Sequence, residues 1–414
     1  MKEILALLNQ ILELGLEKDR RTMALLRCIM RNPHDEARIA MLNRRIGPKV
    51  LLNQMFGKPF KQASEMVQGL IKFALTELGT NVGFNYDEPH CLIAGQTGCG
   101  KTVLLMIILA QAMLQNSTIW LFSKAKDTRN LLRVSREIMV NDFSGQIRFN
   151  PLLQPQGVDS RFWINCFTDV FIQAFSLYDG TKNFMLENLN YLFSRNSQPT
   201  IHDLLRIIKA HSYSPMSRFA RYQESALNRL NGIIGSFGDT FGYPFITLED
   251  LARKNVIFEI QGLTSEQQVF IVNVLITWLF YYKLYNSSNS YHIIGVDDAN
   301  LIFDKSFEYR PDQGKPIISH LMSTVRKSMI NVIACSQIPH QLGASIHSNS
   351  FTKIMFSLAN ANDVDFMSKG MGIRDQEQLD YCHKLGKREI VVKFSGRYQE
   401  PFLAYVPEVP NVQQ

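Results

Sequence analysis

The residues best equipped for chemistry stand together in Gly95-Gln96-Thr97-Gly98-Cys99-Gly100-Lys101-Thr102. They fit the spacing G-x-x-x-x-G-K-[ST], between a short apolar run, Cys91 to Ala94, and a helical pattern from Val103 to Leu114. Strand, glycine loop and helix in that order are what a phosphate-binding loop requires. Gly95, Gly98 and Gly100 permit turns that a side chain would block, so successive N–H groups can aim at phosphate oxygens. The helix behind them adds the positive end of its dipole. Lys101 can reach the β- and γ-phosphates, and the Thr102 hydroxyl can take a position on Mg²⁺. The eight residues are expected to bind ATP or GTP.

An acidic pair far along the chain supplies the complementary half. Tyr291 to Val296 reads as an apolar strand ending in Asp297-Asp298. Beside a glycine loop, Asp297 would hold Mg²⁺ through a water, and Asp298 would sit where an attacking water loses its proton. Taken alone, the same residues are a strand ending at a polar turn. Asn331 to Cys335 is a further strand pattern, ending in Ser336-Gln337. Gln337 is the candidate for touching the γ-phosphate; its plainer role is to cap a turn before Pro339. Arg326, on a helix expected near 315–328, carries the fixed fork of donors that stabilises transition-state charge, here across a subunit boundary. Arg374 is the second candidate for that role, and an ordinary exposed arginine is the plain reading of each.

These residues need an α/β frame to hold them. Residues 1–80 read as helices, with Ile4, Leu8, Ile11 and Leu12 at helical spacing, a break at Asn32-Pro33, and further stretches at 36–45, 48–56 and 62–78. Their interleaved arginines suit a solvated exterior, a nucleic-acid face or a docking segment. Gly79 to Glu88 reads as a turn-rich lead-in. Over 81–150 strands alternate with helices: Thr118 to Phe122, a helix at Thr128 to Met139, then Gln146 to Phe149. That alternation argues for a parallel sheet flanked by helices. Residues 151–250 are an expected all-helical insertion, with helices near 160–178, 181–195, 200–211 and 216–236, and a Gly-rich break at Gly232 to Gly242. Thr200 and Asp203 form a plausible cap there. The core resumes over 251–408, with a strand at Asn255 to Ile260, a helix at 265–284 opened by Ser265 and Gln268, and strands near Lys353 to Ser357, Glu389 to Phe394 and Pro401 to Val406. Residues 409–414 are a tail.

Bulk properties narrow the setting. The 414 residues are 46% hydrophobic and 20% charged, as in a globular chain with a large core. A net charge of +7 suits a phosphate-bearing partner without demanding one. Six scattered cysteines with no paired spacing read as reduced thiols rather than a disulfide framework or zinc site. The N-terminus lacks a signal-peptide pattern. The longest apolar run, Val269 to Tyr282, contains Asn273 and is too short to span a bilayer. A cytoplasmic chain without membrane insertion is expected.

Four motifs together make the sequence resemble the FtsK/HerA superfamily of DNA-pumping ATPases, in its HerA and conjugative coupling-protein branch. They are Pro89 to Thr102 with His90 before the strand, Phe149-Asn150-Pro151-Leu152 before the insertion, Asp297-Asp298-Ala299-Asn300, and Val325-Arg326-Lys327 leading to Ala334-Cys335-Ser336-Gln337. The likeness runs from about 85 to 408. It implies a RecA-like P-loop core, a homo-hexameric ring with Mg-ATP at each subunit boundary, and duplex DNA threaded through the centre. Three departures qualify it. Asp298 stands where the family usually has glutamate, the first 80 residues match neither a β-barrel nor membrane helices, and no winged-helix domain follows. The leading expectation is a ring motor translocating double-stranded DNA. The alternative is a nucleotide-gated scaffold that docks a nuclease or a secretion or transfer partner; a motor for single strands or polypeptide is a third reading.

Overall fold

The computed structural model describes residues 7–408 apart from 9–10, 12–15, 17–18, 34, 57, 62, 64, 146, 243–244, 287–289, 309–317, 319–321 and 323–327, and of 49–56 the backbone alone. The expected tail at 409–414, Arg326 and most of the helix expected at 315–328 lie outside the described residues.

The chain begins with two helices, α1 (Arg20–Arg31) and α2 (Glu36–Phe56). Asp19 caps α1 by accepting from the Arg21 N–H, and Asn32-Pro33 separates the pair. The two helices expected at 36–45 and 48–56 are one, continuing through Pro48. Leu26 and Ile29 of α1 are buried with Leu42 and Ile46 of α2 in a small core apart from the two larger ones.

Eleven strands among the described residues form one sheet: β1 (Ile71–Leu75), β2 (Asn81–Phe84), β3 (Cys91–Ala94), β4 (Thr118–Ser123), β5 (Met139–Asn141), β6 (Val256–Glu259), β7 (His292–Val296), β8 (Ile330–Ser336), β9 (Thr352–Met355), β10 (Glu389–Phe394) and β11 (Phe402–Tyr405). Their order is β2-β1-β11-β10-β9-β3-β8-β7-β4-β6-β5. From β9 to β5 every pairing is parallel; β10, β11, β1 and β2 extend the edge antiparallel. The parallel strands are apolar throughout because both faces are covered. Leu92, Trp120, Phe122 and Ile294 enter one core, while Ile93, Ile119, Leu121 and Ile293 enter the other, as the two-residue period demands.

Helix α3 (Lys101–Leu114) follows the glycine loop and buries Leu104, Leu105, Ile108 and Leu109 on one face of the sheet. The opposite face carries α4 (Ser160–Ala174), α5 (Asp179–Arg195), α6 (Ile201–Ala210) and α7 (Arg218–Phe237), the expected helical insertion, together with α8 (Ser265–Tyr285). Thr200 and Asp203 form the expected capping box on α6. Helix α8 is long and apolar enough to cross a membrane by length and composition, beyond what the 14-residue apolar run suggested. However, 78% of its most apolar window is buried inside the fold, which makes it a core helix.

Several local expectations are corrected. Residues 62–78 are not a helix: a short 3₁₀ turn at Glu65–Val67 precedes strand β1, where buried Ile71 and Phe73 flank exposed Lys72 with strand periodicity. The lead-in at 79–88 contains β2, hydrogen-bonded to β1. Residues 126–133 are 3₁₀ rather than α-helix, and Met139–Asn141 is a strand beside β6, whereas 147–149 form none. Helix α7 runs through Gly232 and Gly235 and stops at Gly238. The capping box of α8 is Thr264 with Gln267, one residue earlier than expected.

Gly295, in the middle of β7, sets how closely α3 approaches the sheet. A Cβ there would lie 3.0 Å from Leu109 Cδ1 and from Leu121 Cδ1, and 3.2 Å from Leu105 Cδ1. Gly295→Val is therefore expected to destabilise the fold by about 1–3 kcal/mol through overpacking. Urea unfolding measures this, and an unchanged midpoint would contradict the packing described.

Candidate active site

The glycine loop leaves the carboxyl end of β3, hemmed in by β8 and β9. The Gly95 N–H donates to Ser336 O at 3.1 Å and the Gln96 N–H to Ser357 O at 2.8 Å, so both neighbouring strands anchor it. Gly98 and Gly100 take φ of +78° and +114°, a region that favours glycine because it has no Cβ. At Gly95 a Cβ would come within 2.6 Å of Cys99 Sγ and 2.7 Å of Phe356 Cβ. Gly100 is the N-cap of α3 and offers no side-chain acceptor, so the first N–H groups of a 14-residue helix face the loop. Lys101 is buried, and its Nζ donates to Gly95 O at 2.7 Å and Gln96 O at 2.9 Å. An ammonium group beside the uncapped N–H groups of a helix N-terminus suits a polyphosphate.

The acidic pair meets this loop. Thr102 Oγ1 donates to Asp297 Oδ1 at 3.1 Å, and Ser123 Oγ lies 3.4 Å from Asp297 Oδ2. Burial pushes the Asp297 carboxyl above the usual carboxylate range, while the Thr102 and Ser123 hydroxyls and the Lys101 charge oppose that rise. A partly desolvated carboxylate beside a threonine hydroxyl fits a divalent cation, whose charge would favour the ionised form. Among the described residues no three His, Cys, Asp or Glu side chains cluster into a protein-only metal site. An Mg²⁺ at Thr102 and Asp297 would thus complete its oxygen shell with nucleotide phosphates and water.

Asp298 holds a partner that the sequence did not reveal. Lys124 Nζ lies 2.7 Å from Asp298 Oδ2, with both side chains partly exposed, and Asp298 Oδ1 accepts from the Asn300 N–H at 3.2 Å. The signal was the sheet register: Phe122 of β4 pairs with Val296 of β7, which carries Lys124 opposite Asp298 two positions on. Beside Lys124 a cleft of about 600 Å³ opens at the ends of β4 and β6. On its wall the Arg129 guanidinium grips Glu259 with two bonds of 2.5 and 2.8 Å.

Gln337 follows β8 and reaches the loop, its Oε1 accepting from Thr97 Oγ1 at 2.9 Å. Loop, acidic pair and Gln337 therefore converge at one end of the sheet. Arg326 cannot be placed against them, since it lies outside the described residues. Arg374 is exposed between α9 (Ala361–Met371) and α10 (Gln376–Cys382) and has no ion-pair partner among the described residues. His90, part of the motif before β3, is structural. It is buried at a φ of +59°, and its Nδ1 accepts from the Val332 N–H at 3.0 Å, joining β3 to β8. Burial lowers its pKa to about 4, which keeps the ring neutral and that nitrogen an acceptor.

No protein-family model matches the sequence, and no curated protein matches it. Solved structures do. VirB4 of Thermoanaerobacter pseudethanolicus superposes with a TM-score of 0.66 at 12% identity, over 83% of this chain and 97% of that one. The bacterial conjugative coupling protein TrwB, in a form with sulfate, gives 0.63 at 12% identity over 86% of this chain and 98% of its own. The plasmid coupling protein TrwB in complex with ADP and Mg²⁺ gives 0.64 at 11% identity, with the same coverage. The chain thus has the RecA-like P-loop fold of these proteins over most of its length.

Proposed function

We propose that this chain is an ATPase of the FtsK/HerA superfamily that works as a ring motor on double-stranded DNA. The observation that carries the reading is the 3.1 Å hydrogen bond from Thr102 to Asp297, which joins the glycine loop to the acidic strand end around buried Lys101. The shared fold with TrwB, crystallised with ADP and Mg²⁺, supports the same ligands here. Residues Gly95 to Lys101 would bind the phosphates, and Thr102 with Asp297 would hold Mg²⁺. The metal ion, when bound, neutralises charge that builds on the β- and γ-oxygens. Water attacks the γ-phosphorus, the bond to the bridging oxygen breaks to give ADP and phosphate, and Asp298 takes the water's proton. Gln337 would report the γ-phosphate to Thr97 and the loop. An arginine of a neighbouring subunit, Arg326 or Arg374, would complete a site shared between members of a hexamer. The reading includes a cytoplasmic chain without membrane insertion.

The Lys124–Asp298 ion pair favours a second reading: a nucleotide-gated scaffold, with little turnover, that docks a nuclease or transfer partner. A carboxylate oxygen held by an ammonium group at 2.7 Å is not free to take up an attacking water until that contact opens. The two readings part on turnover that duplex DNA accelerates.

Lys101→Ala is expected to abolish ATP hydrolysis in a coupled phosphate-release assay, and an unchanged rate would overturn the assignment. Asp298→Asn should lower turnover by about 10²- to 10⁴-fold while leaving nucleotide binding intact. Lys124→Ala removes the restraint on Asp298, so DNA-free turnover should rise several-fold. A rate that stays flat in that variant means the ion pair does not hold the base back.

A further inference from the structure

We infer that the N-terminal helical hairpin, α1 with α2, is a phosphate-binding module for duplex DNA, separate from the nucleotide site, with Arg20, Arg27 and Arg31 as its contact stripe. The choice of DNA as the polyanion rests on the function proposed above; the charge geometry does not.

Charge distribution is the first observation. Residues 18–49 hold nine basic residues against three acidic, +6 of the chain's total of +7, so the other 382 residues are almost neutral. Two of the three acids are already engaged inside the hairpin: Asp19 by Arg45 at 2.9 Å and Asp35 by Arg38 at 3.3 Å. The Arg45 and Thr22 hydrogen bonds hold the Asp19 carboxyl well below the usual carboxylate range, so it remains a fixed anion committed to that pair. Arg20, Arg21, Arg27, Arg31 and Arg44 are exposed and have no ion-pair partner among the described residues. A solvated helix surface ordinarily mixes the two signs; α1 carries four arginines and no acidic residue.

Geometry is the second. Positions 20, 27 and 31 differ by seven and four residues, so they share one face of α1 and span about 16 Å along it. Seven of the nine basic residues over 18–49 are arginines, whose planar forks suit phosphate oxygens better than ammonium groups do. The apolar residues of α1 that could insert into a lipid surface, Leu26 and Ile29, are buried against α2 instead. Met30 and Met41, each 59% exposed, are the large apolar side chains left outside among those described on the two helices. That is too little for an interfacial helix, which needs a broad apolar face. A rigid arginine stripe over a private core fits the sugar–phosphate backbone of a duplex.

The test uses the full chain without nucleotide and a fluorescently labelled linear duplex, followed by anisotropy over a salt series. The variant Arg20→Ala/Arg27→Ala/Arg31→Ala should bind more weakly, and its plot of log affinity against log salt should be shallower by about 3, near one unit per lost phosphate contact. Its DNA-free ATP hydrolysis should equal the wild type's, because none of the three residues touches the glycine loop or the acidic pair. Affinity and slope that match the wild type overturn the inference, as does lost binding to phosphatidylserine vesicles with duplex binding intact. A chain that hydrolyses ATP but binds duplex independently of the stripe sinks this inference and leaves the function standing. One that binds duplex through the stripe without hydrolysing ATP does the reverse.

Discussion

Everything chemical in this structure depends on a single closure: strand β7 must end level with the glycine loop, so that Asp297 accepts from Thr102 at 3.1 Å. Parallel register enforces it. Strand β3 pairs with β8 and β8 with β7, which delivers the loop, Gln337 and the acidic pair to the same carboxyl edge. In open parallel sheets that edge is where ligands bind, because the strand ends and helix N-termini converge there. The local cost is a half-desolvated carboxylate, and the hydroxyls of Thr102 and Ser123 with the Lys101 charge offset part of it.

The rest of the fold stiffens that edge. Both faces of the parallel strands are covered, by α3 on one side and the helical insertion with α8 on the other. Gly295 lets α3 sit close to β7, which fixes the distance between Thr102 and the acidic strand end. Buried neutral His90 ties β3 to β8 through the Val332 N–H. The antiparallel strands β10, β11, β1 and β2 widen the sheet on the side away from the acidic pair. By contrast, the N-terminal hairpin has a core of its own and so can present its arginines without disturbing the site.

Much of this was legible in the sequence, for identifiable reasons. The glycine loop and acidic pair could be read because their chemistry restricts residue type at each position. Helices α4, α6 and α7 could be read because each combines an apolar period with an N-cap, at Asp159, Thr200 and Ser217. Strand β1 was hidden because Ile71-Lys72-Phe73 alternates too briefly to stand out from the helix-like residues around it. The cap of α8 is ambiguous in sequence because Thr264/Gln267 and Ser265/Gln268 spell the same spacing, and in the fold Gln267 Oε1 accepts from the Thr264 N–H at 3.0 Å. Gly232 and Gly235 each cost a helix about 1 kcal/mol, yet burial of Leu230, Ile233 and Phe237 holds α7 together across them. Lys124 was out of reach: its tie to Asp298 exists only through the pairing of β4 with β7.

The central claim is that this edge hydrolyses ATP to move along duplex DNA. The most direct measurement is the steady-state ATPase rate of the purified chain with and without linear duplex, at two salt concentrations. The account predicts several-fold stimulation by DNA that falls as salt rises, since phosphate contacts release counterions and weaken steeply with ionic strength. Slow turnover indifferent to DNA at both salt concentrations would contradict it.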